Sequence, residues 1–164
     1  MAAGVQGIHH VGLSVPDLAR ARHFFVDLLG GTEVIGGFAW ADNPFIDAIV
    51  GLHGSAAEMF MVRLGNAHVE VFEYRAPRSA PQDPDQGVNR FGYTHFALQV
   101  DDLAACAARL ADAGCRLHTR PDTSGIVRHD DGRKTGYAAI YCRDWFGNVF
   151  ELMEVHEDPM MPRV

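Results

Sequence analysis

Short apolar or alternating runs of strand length, interrupted once in each half by helical spacing, set the expected order of elements along this chain. Residues 8–15 and 93–100 read as strands. Asp17 and Asp102 then offer side-chain oxygens to the free N–H groups of a starting helix. Leu18, Ala21, Phe25 and Leu28 fall on one helical face, as do Leu103, Ala107 and Leu110, and Gly30 and Gly114 follow as helix-ending glycines. Three more strands are expected in each half, at 32–39, 56–64 and 67–74, then at 116–119, 136–142 and 148–155. The segment from Arg75 to Pro84 is Pro-rich and carries neither period, so it reads as a linker.

The halves repeat one another. At a constant offset of 85, Gly7, His10, Leu13, Val15, Asp17, Leu18 and Ala19 coincide with Gly92, His95, Leu98, Val100, Asp102, Leu103 and Ala104. The closing segments agree as well: Gly65-Asn66 precedes Glu70-Val71-Phe72-Glu73, and Gly147-Asn148 precedes Glu151-Leu152-Met153-Glu154. Matched ends in halves of similar length mark a duplicated unit. The expected fold is α+β, two tandem βαβββ modules in a single domain over 7–156. Module 1 covers about 7–75, the linker 76–90 and module 2 91–156, with a C-terminal tail at 157–164.

Composition narrows the class. With 164 residues, 48% of them hydrophobic and 21% charged, the chain is ordinary for a globular protein with a real core. A formal charge of −7 argues against nucleic acid or an anionic membrane as partner. No apolar run approaches the roughly 18 residues a membrane span needs. Met1 to Gln6 lack the basic start and apolar core of a signal peptide. Cys106, Cys115 and Cys142 are odd in number and lack metal-type spacing, so they read as thiols in a reducing compartment. A cytoplasmic location follows, a small molecule is the expected partner, and a homodimer is allowed. Nine histidines are the unusual feature and prompt a search for metal ligands.

His10 and His95 occupy equivalent places on first strands, and Glu70 and Glu151 on last strands. Imidazole and carboxylate donors suit Zn, Ni, Co, Mn or Fe, and a mixed set chooses poorly among them. A twofold-related duplication would bring equivalent residues to one centre, giving one divalent ion per chain on four ligands. A lone His or Glu on a half-buried strand is more often a packing residue or an ion-pair member. Four residues obeying the internal symmetry reverse that weighting. Strand alternation puts His10 with Gly12 and Ser14, small residues that leave room, and puts His9 on the other face with Val11 as a packing or surface residue. His68 shares the Glu70 face.

The segments Ile8-His9-His10-Val11-Gly12-Leu13-Ser14-Val15-Pro16-Asp17-Leu18 and Arg143-Asp144-Trp145-Phe146-Gly147-Asn148-Val149-Phe150-Glu151-Leu152 resemble the opening and closing motifs of the vicinal oxygen chelate superfamily. That superfamily includes glyoxalase I, methylmalonyl-CoA epimerase, extradiol dioxygenases, fosfomycin-resistance enzymes and bleomycin-binding proteins. The resemblance covers nearly the whole chain. It implies a cup-shaped mixed sheet with helices outside and places the family's ligand positions on His10, Glu70, His95 and Glu151. The family's Asp-Pro-x-Gly turn is Asp144-Trp145-Phe146-Gly147 here. A full ligand set implies lyase or isomerase chemistry of glyoxalase or epimerase type, in which an enolate is stabilised and a proton moves beside a carbonyl. By the same resemblance Glu58, a charged residue in an apolar strand, is a candidate base, and Glu151 acts if it leaves the metal during turnover.

Two rival readings use the same residues. An extradiol dioxygenase would hold Fe(II) on His10, His95 and Glu151 with Glu70 detached, and Val127-Arg128-His129 and Ile140-Tyr141 echo its signature. A non-catalytic drug-binding protein would use the cup alone, although such binders generally lack ligands at these positions. For the substrate, Phe38 and Trp40 sit in an aromatic stretch over 36–45, and Arg128, His129 and Tyr141 lie in or beside the polar loop 123–136. Packing residues and a solvated loop are the plainer accounts of these two stretches.

Overall fold

Asp17 and Asp102 cap their helices as the sequence predicts: Asp17 Oδ1 accepts from Arg20 N and Asp102 Oδ1 from Ala105 N, at 2.9 and 2.8 Å. In the computed structural model, which describes residues 4–164, the chain divides between Pro81 and Gln82, inside the expected linker. Each unit carries one open mixed sheet with a helix against it.

The first unit contains β1 (His10–Ser14), α1 (Leu18–Arg22, continued as a π-helical segment His23–Leu28), β2 (Thr32–Trp40), α2 (Pro44–Val50), β3 (Ala56–Leu64) and β4 (Ala67–Ala76). The sheet order is β1-β4-β3-β2, with β1 parallel to β4 and the other pairs antiparallel. The helix packs Leu18, Ala21, Phe24 and Phe25 toward the strand face that carries Phe60, Val62, Val69 and Val71, all buried. Phe24 lies off the helical face that the sequence predicts. The wider π turn lets two successive phenylalanines face the sheet, and Leu28 is left only half-buried.

The second unit repeats the plan with β5 (Phe96–Gln99), α3 (Leu103–Asp112), β6 (Arg116–Leu117), β7 (Ile126–Arg128), β8 (Lys134–Arg143) and β9 (Val149–Val155). Its order is β5-β9-β8-β6, with β7 paired to β8, and β5 runs parallel to β9. Leu103, Cys106, Ala107 and Leu110 are buried on α3, and Ile140, Cys142, Phe150 and Leu152 on the strands. Gly30 and Gly114 both take positive φ after their helices, +75° and +84°.

Other expectations need correction. The strands at 8–15 and 93–100 are shorter, and His95 lies just ahead of β5. Helix α2 begins at the end of the aromatic stretch 36–45, where no helix is expected, and Asn43-Pro44 is its start signal: Asn43 Oδ1 accepts from Phe45 N and Ile46 N. Part of the loop 123–136 is the β7–β8 hairpin. The tail at 157–164 is tied to its unit, since Glu157 pairs with Arg133 and Val164 N donates to Gln99 Oε1. Among the described residues no helix is long and apolar enough to cross a membrane.

Candidate functional site

The parallel pairing of first and last strands builds the same side-chain relationship in each unit. Gly12 is the Cα partner of Glu70, and Ala97 is the partner of Glu151. His10 precedes Gly12 by two positions on β1, so it shares that face and leans along the strand to reach Glu70 diagonally, while His95, just ahead of β5, meets Glu151 from the equivalent place. His10 Nε2 lies 3.2 Å from Glu70 Oε2, and His95 Nε2 lies 3.3 Å from Glu151 Oε2. A residue without bulk opposite the glutamate leaves the imidazole its path. A Cβ added at Gly12 would touch only the Phe72 ring, at 3.9 Å.

Both imidazoles are engaged at their other nitrogen. His10 Nδ1 is 2.8 Å from His9 Nδ1, and His95 Nδ1 is 2.9 Å from the Thr94 hydroxyl. His9 therefore does not point away with Val11. It lies ahead of β1, where strand alternation does not govern it, and its ring stacks on His68 at 5.3 Å. His68 Nδ1 is 3.1 Å from the His9 carbonyl oxygen.

In the first unit, the face bearing Glu70 continues into an aromatic wall. Met61, Met59 and Ala57 on β3 are the Cα partners of Glu70, Phe72 and Tyr74 on β4, and Phe38 and Trp40 on β2 oppose Met59 and Ala57. Trp40 is buried among Ala57, Met59 and Met61, with Ile46, Phe72 and Tyr74 packed on the group. Its indole N–H donates to Ser55 Oγ at 2.8 Å, and Ser55 in turn donates to Asp47. Phe38, 6.0 Å from the Trp40 ring, is half exposed. Partial burial, and after it the nearby Glu70 charge, push the Tyr74 phenol upward. Trp40 is thus chiefly a core residue, while Phe38 presents free ring surface.

In the second unit, Tyr141 is the Cα partner of Glu151, and its ring lies 4.5 Å from that of His95. The His118 ring also meets Tyr141, edge-on, with centroids 6.0 Å apart. Burial, followed by the charges of Arg143 and Arg116, pushes the His118 imidazole pKa down. Arg128 and His129 belong elsewhere in this unit. They cap the β7–β8 hairpin, with His129 Nε2 2.9 Å from the Thr135 hydroxyl. Thr135 is six residues from Tyr141 along β8, about 20 Å at the usual strand rise.

Glu58 is also set apart. It pairs with Glu73 across β3 and β4, on the face opposite to Glu70, and its carboxylate meets Arg75 at 2.9 Å. It stands an odd number of positions from Met59 and Met61, so alternation turns it to the helix side. Glu58 and Glu70 thus face opposite sides of the first unit's sheet.

The second glutamate of each Glu-x-x-Glu motif has a job that the sequence reading missed. Glu73 Oε2 accepts from Leu18 N, and Glu154 Oε2 accepts from Leu103 N, both at 2.9 Å. Each thus supplies negative charge and an acceptor to the N-terminus of its unit's helix.

Among the described residues no three His, Cys, Asp or Glu side chains are gathered to hold a metal, and the expected ligands meet as one His–Glu pair in each unit. The pairs fit what a divalent ion requires of adjacent ligands. Donors about 2.1 Å from one ion stand roughly 3.0–3.4 Å apart at octahedral or tetrahedral angles, which is the His–Glu spacing in both units.

Residues 7–152 match the Glyoxalase/Bleomycin resistance protein/Dioxygenase superfamily. The chain is 30% identical over 158 residues to a 2-epi-5-epi-valiolone epimerase from Actinomyces, covering 93% of this chain and 81% of that protein. The fold is similar to a glyoxalase family protein from Bacillus cereus, with TM-score 0.77, 22% identity and coverage of 94% and 97% of the two chains. It is also similar to a mutant of the fosfomycin resistance protein FosX from Listeria monocytogenes, complexed with Mn(II) and 1S,2S-dihydroxypropylphosphonic acid. There the TM-score is 0.53, with 17% identity and coverage of 91% and 92%. With the family matched over nearly its whole length and its repeat seen in both sheets, the chain belongs to the glyoxalase/bleomycin resistance/dioxygenase superfamily.

Proposed function

We propose that the protein is a divalent-metal-dependent isomerase that moves a proton on the carbon beside a carbonyl, with His10, Glu70, His95 and Glu151 as the ligand set. The observation that carries this is the repeated His–Glu pair, 3.2 Å in one unit and 3.3 Å in the other. The 30% identity to a protein named as an epimerase favours isomerase over lyase chemistry within the superfamily, and the Mn(II) complex of FosX supports a divalent ion as cofactor.

When bound, such an ion supplies positive charge that polarises a substrate carbonyl and acidifies the neighbouring carbon. Glu151, on leaving the metal, takes the proton on its carboxylate, and its half-buried position limits exchange of that proton with water. Inversion then requires a proton delivered to the opposite side of the carbon by a protonated group, with Glu151 releasing the proton it took once product leaves. Tyr141, against His95, holds that imidazole in place. Phe38 and the wall behind it offer apolar surface to the substrate's carbon skeleton.

The test is turnover in deuterium oxide with an oxygen electrode in the cell, using polyhydroxylated cyclic ketones, acyl thioesters, hemithioacetals and catechols. The expected result is deuterium at the carbon beside a carbonyl with no oxygen consumed. Oxygen uptake coupled to catechol loss would replace this reading with ring-cleaving oxygenation, and silence across the whole set would leave a binding protein.

A further inference from the structure

The offset of 85 that relates His10 to His95 also relates His9 to Thr94, two residues with different side chains. Both nevertheless place a hydrogen-bonding atom on the outer nitrogen of the following histidine, His9 Nδ1 at 2.8 Å and Thr94 Oγ1 at 2.9 Å. We propose that His9 and Thr94 are positioning residues that fix the ring orientation and tautomer of His10 and His95. This rests on the reading of those two histidines as metal ligands.

The chemistry runs from the inner nitrogen outward. Nε2 of each ring faces a glutamate oxygen. For Nε2 to offer its lone pair to a cation, the neutral ring carries its proton on Nδ1, which then needs an acceptor. The Thr94 hydroxyl oxygen accepts from His95, and the Nδ1 lone pair of His9 accepts from His10. Water can satisfy such an N–H but does not hold a ring in one orientation.

His9 is itself held in place. Its ring stacks on His68 at 5.3 Å with 25° between the planes, and the His68 Nδ1–H donates to the His9 carbonyl oxygen at 3.1 Å. His68 is the Cα partner of His10 in the β1–β4 register, so the anchor stands beside the ligand it serves. The first unit thus runs His68–His9–His10–Glu70. The second runs Thr94–His95–Glu151, with the Tyr141 ring buttressing His95 in place of a further imidazole. Duplication retained the ligand and let each unit meet the outer nitrogen by its own means.

The full chain and four variants, Thr94→Val, Thr94→Ser, His9→Ala and His9→Asn, are titrated with Mn²⁺, Co²⁺ and Zn²⁺ by calorimetry. Urea unfolding of each metal-free protein is followed alongside. Thr94→Val and His9→Ala should bind about 10- to 100-fold more weakly, the usual effect of losing an outer partner of a metal ligand. Thr94→Ser keeps Oγ, and Asn places Oδ1 where His9 had Nδ1, so both should stay within about threefold of the parent. Metal-free unfolding midpoints should not move. Equal binding by Thr94→Val and His9→Ala would overturn the positioning role while leaving the ligand reading intact. Equal losses in Ser and Asn variants would do the same. A parent protein that binds none of the three ions stoichiometrically would overturn the ligand reading and the positioning role together.

Discussion

Glu70 and Glu73 stand three residues apart on β4 and face opposite sides of the sheet, one meeting His10 and the other the first N–H of α1. The odd spacing is the cause, because successive strand residues alternate faces. Glu151 and Glu154 divide the same way on β9, between His95 and the start of α3. Each Glu-x-x-Glu motif therefore joins a chemical glutamate to a structural one.

That division predicts opposite phenotypes from neighbouring substitutions. Glu70→Gln or Glu151→Gln should lower metal occupancy with little change in the unfolding midpoint of the metal-free protein. Glu73→Gln should leave occupancy unchanged and cost about 1 kcal/mol, the usual worth of a charged helix-end contact. Metal analysis and urea denaturation of the same preparations separate the two effects. Loss of metal from Glu73→Gln would contradict the division.

Glu154 should make part of the stability depend on acid pH. Burial alone would raise its pKa. Hydrogen bonds from Leu103 N–H, His156 and Lys134, with the Lys134 charge, outweigh that and bring it from 4.5 to about 2. A depressed carboxylate stabilises the fold above its unfolded pKa, and that contribution fades as pH falls from about 4.5 toward 2. The shift corresponds to on the order of 3 kcal/mol. Glu154→Gln should therefore be destabilised by up to that amount at pH 7, with the gap to the parent narrowing by pH 3. A gap that stays constant with pH would mean that packing, not charge, explains the loss.

Glu58→Gln is expected to be nearly silent. Its partner Arg75 is largely exposed, and surface pairs of this kind contribute less than about 1 kcal/mol. Metal content, and the deuterium exchange proposed above, should match the parent. A large loss of exchange with metal retained would return Glu58 to the reaction and require β3 to present it on the other face.

How much of the fold and site is legible in the sequence follows from the kind of signal each feature carries. The repeat, both helix caps and the bounds of β3 can be read because Asp before a helical face and alternation along a strand are local. The His–Glu pairs are legible because duplication marks equivalent positions. Phe24 escapes because a π turn changes the period without a sequence sign of its own. A charged residue in an apolar strand, as Glu58 is, shows that it is unusual, not which face it takes. That depends on register with Glu73 and Glu70. His9 turns the other way because alternation does not extend past the end of β1. Helix α2 has a readable start in Asn43-Pro44, but its seven residues are too short to show a helical period.

The small residues opposite the glutamates give the last prediction. Gly12 and Ala97 stand at the Cα positions facing Glu70 and Glu151, and both are exposed on the face across which His10 and His95 reach. A Cβ at Gly12 meets nothing closer than the Phe72 ring at 3.9 Å, and the strand backbone there does not require glycine. Gly12→Ala should therefore keep metal binding and stabilise the strand by about 0.5 kcal/mol through lower unfolded-state entropy. Gly12→Leu and Ala97→Leu place a branched side chain in the path between imidazole and carboxylate. They should lose tight metal binding while unfolding within about 0.5 kcal/mol of the parent, since an exposed position carries little packing energy. Circular dichroism during urea unfolding, paired with metal titration, measures both quantities on one sample. Full metal binding by both leucine variants would show that the diagonal approach of histidine to glutamate does not depend on an open position between them.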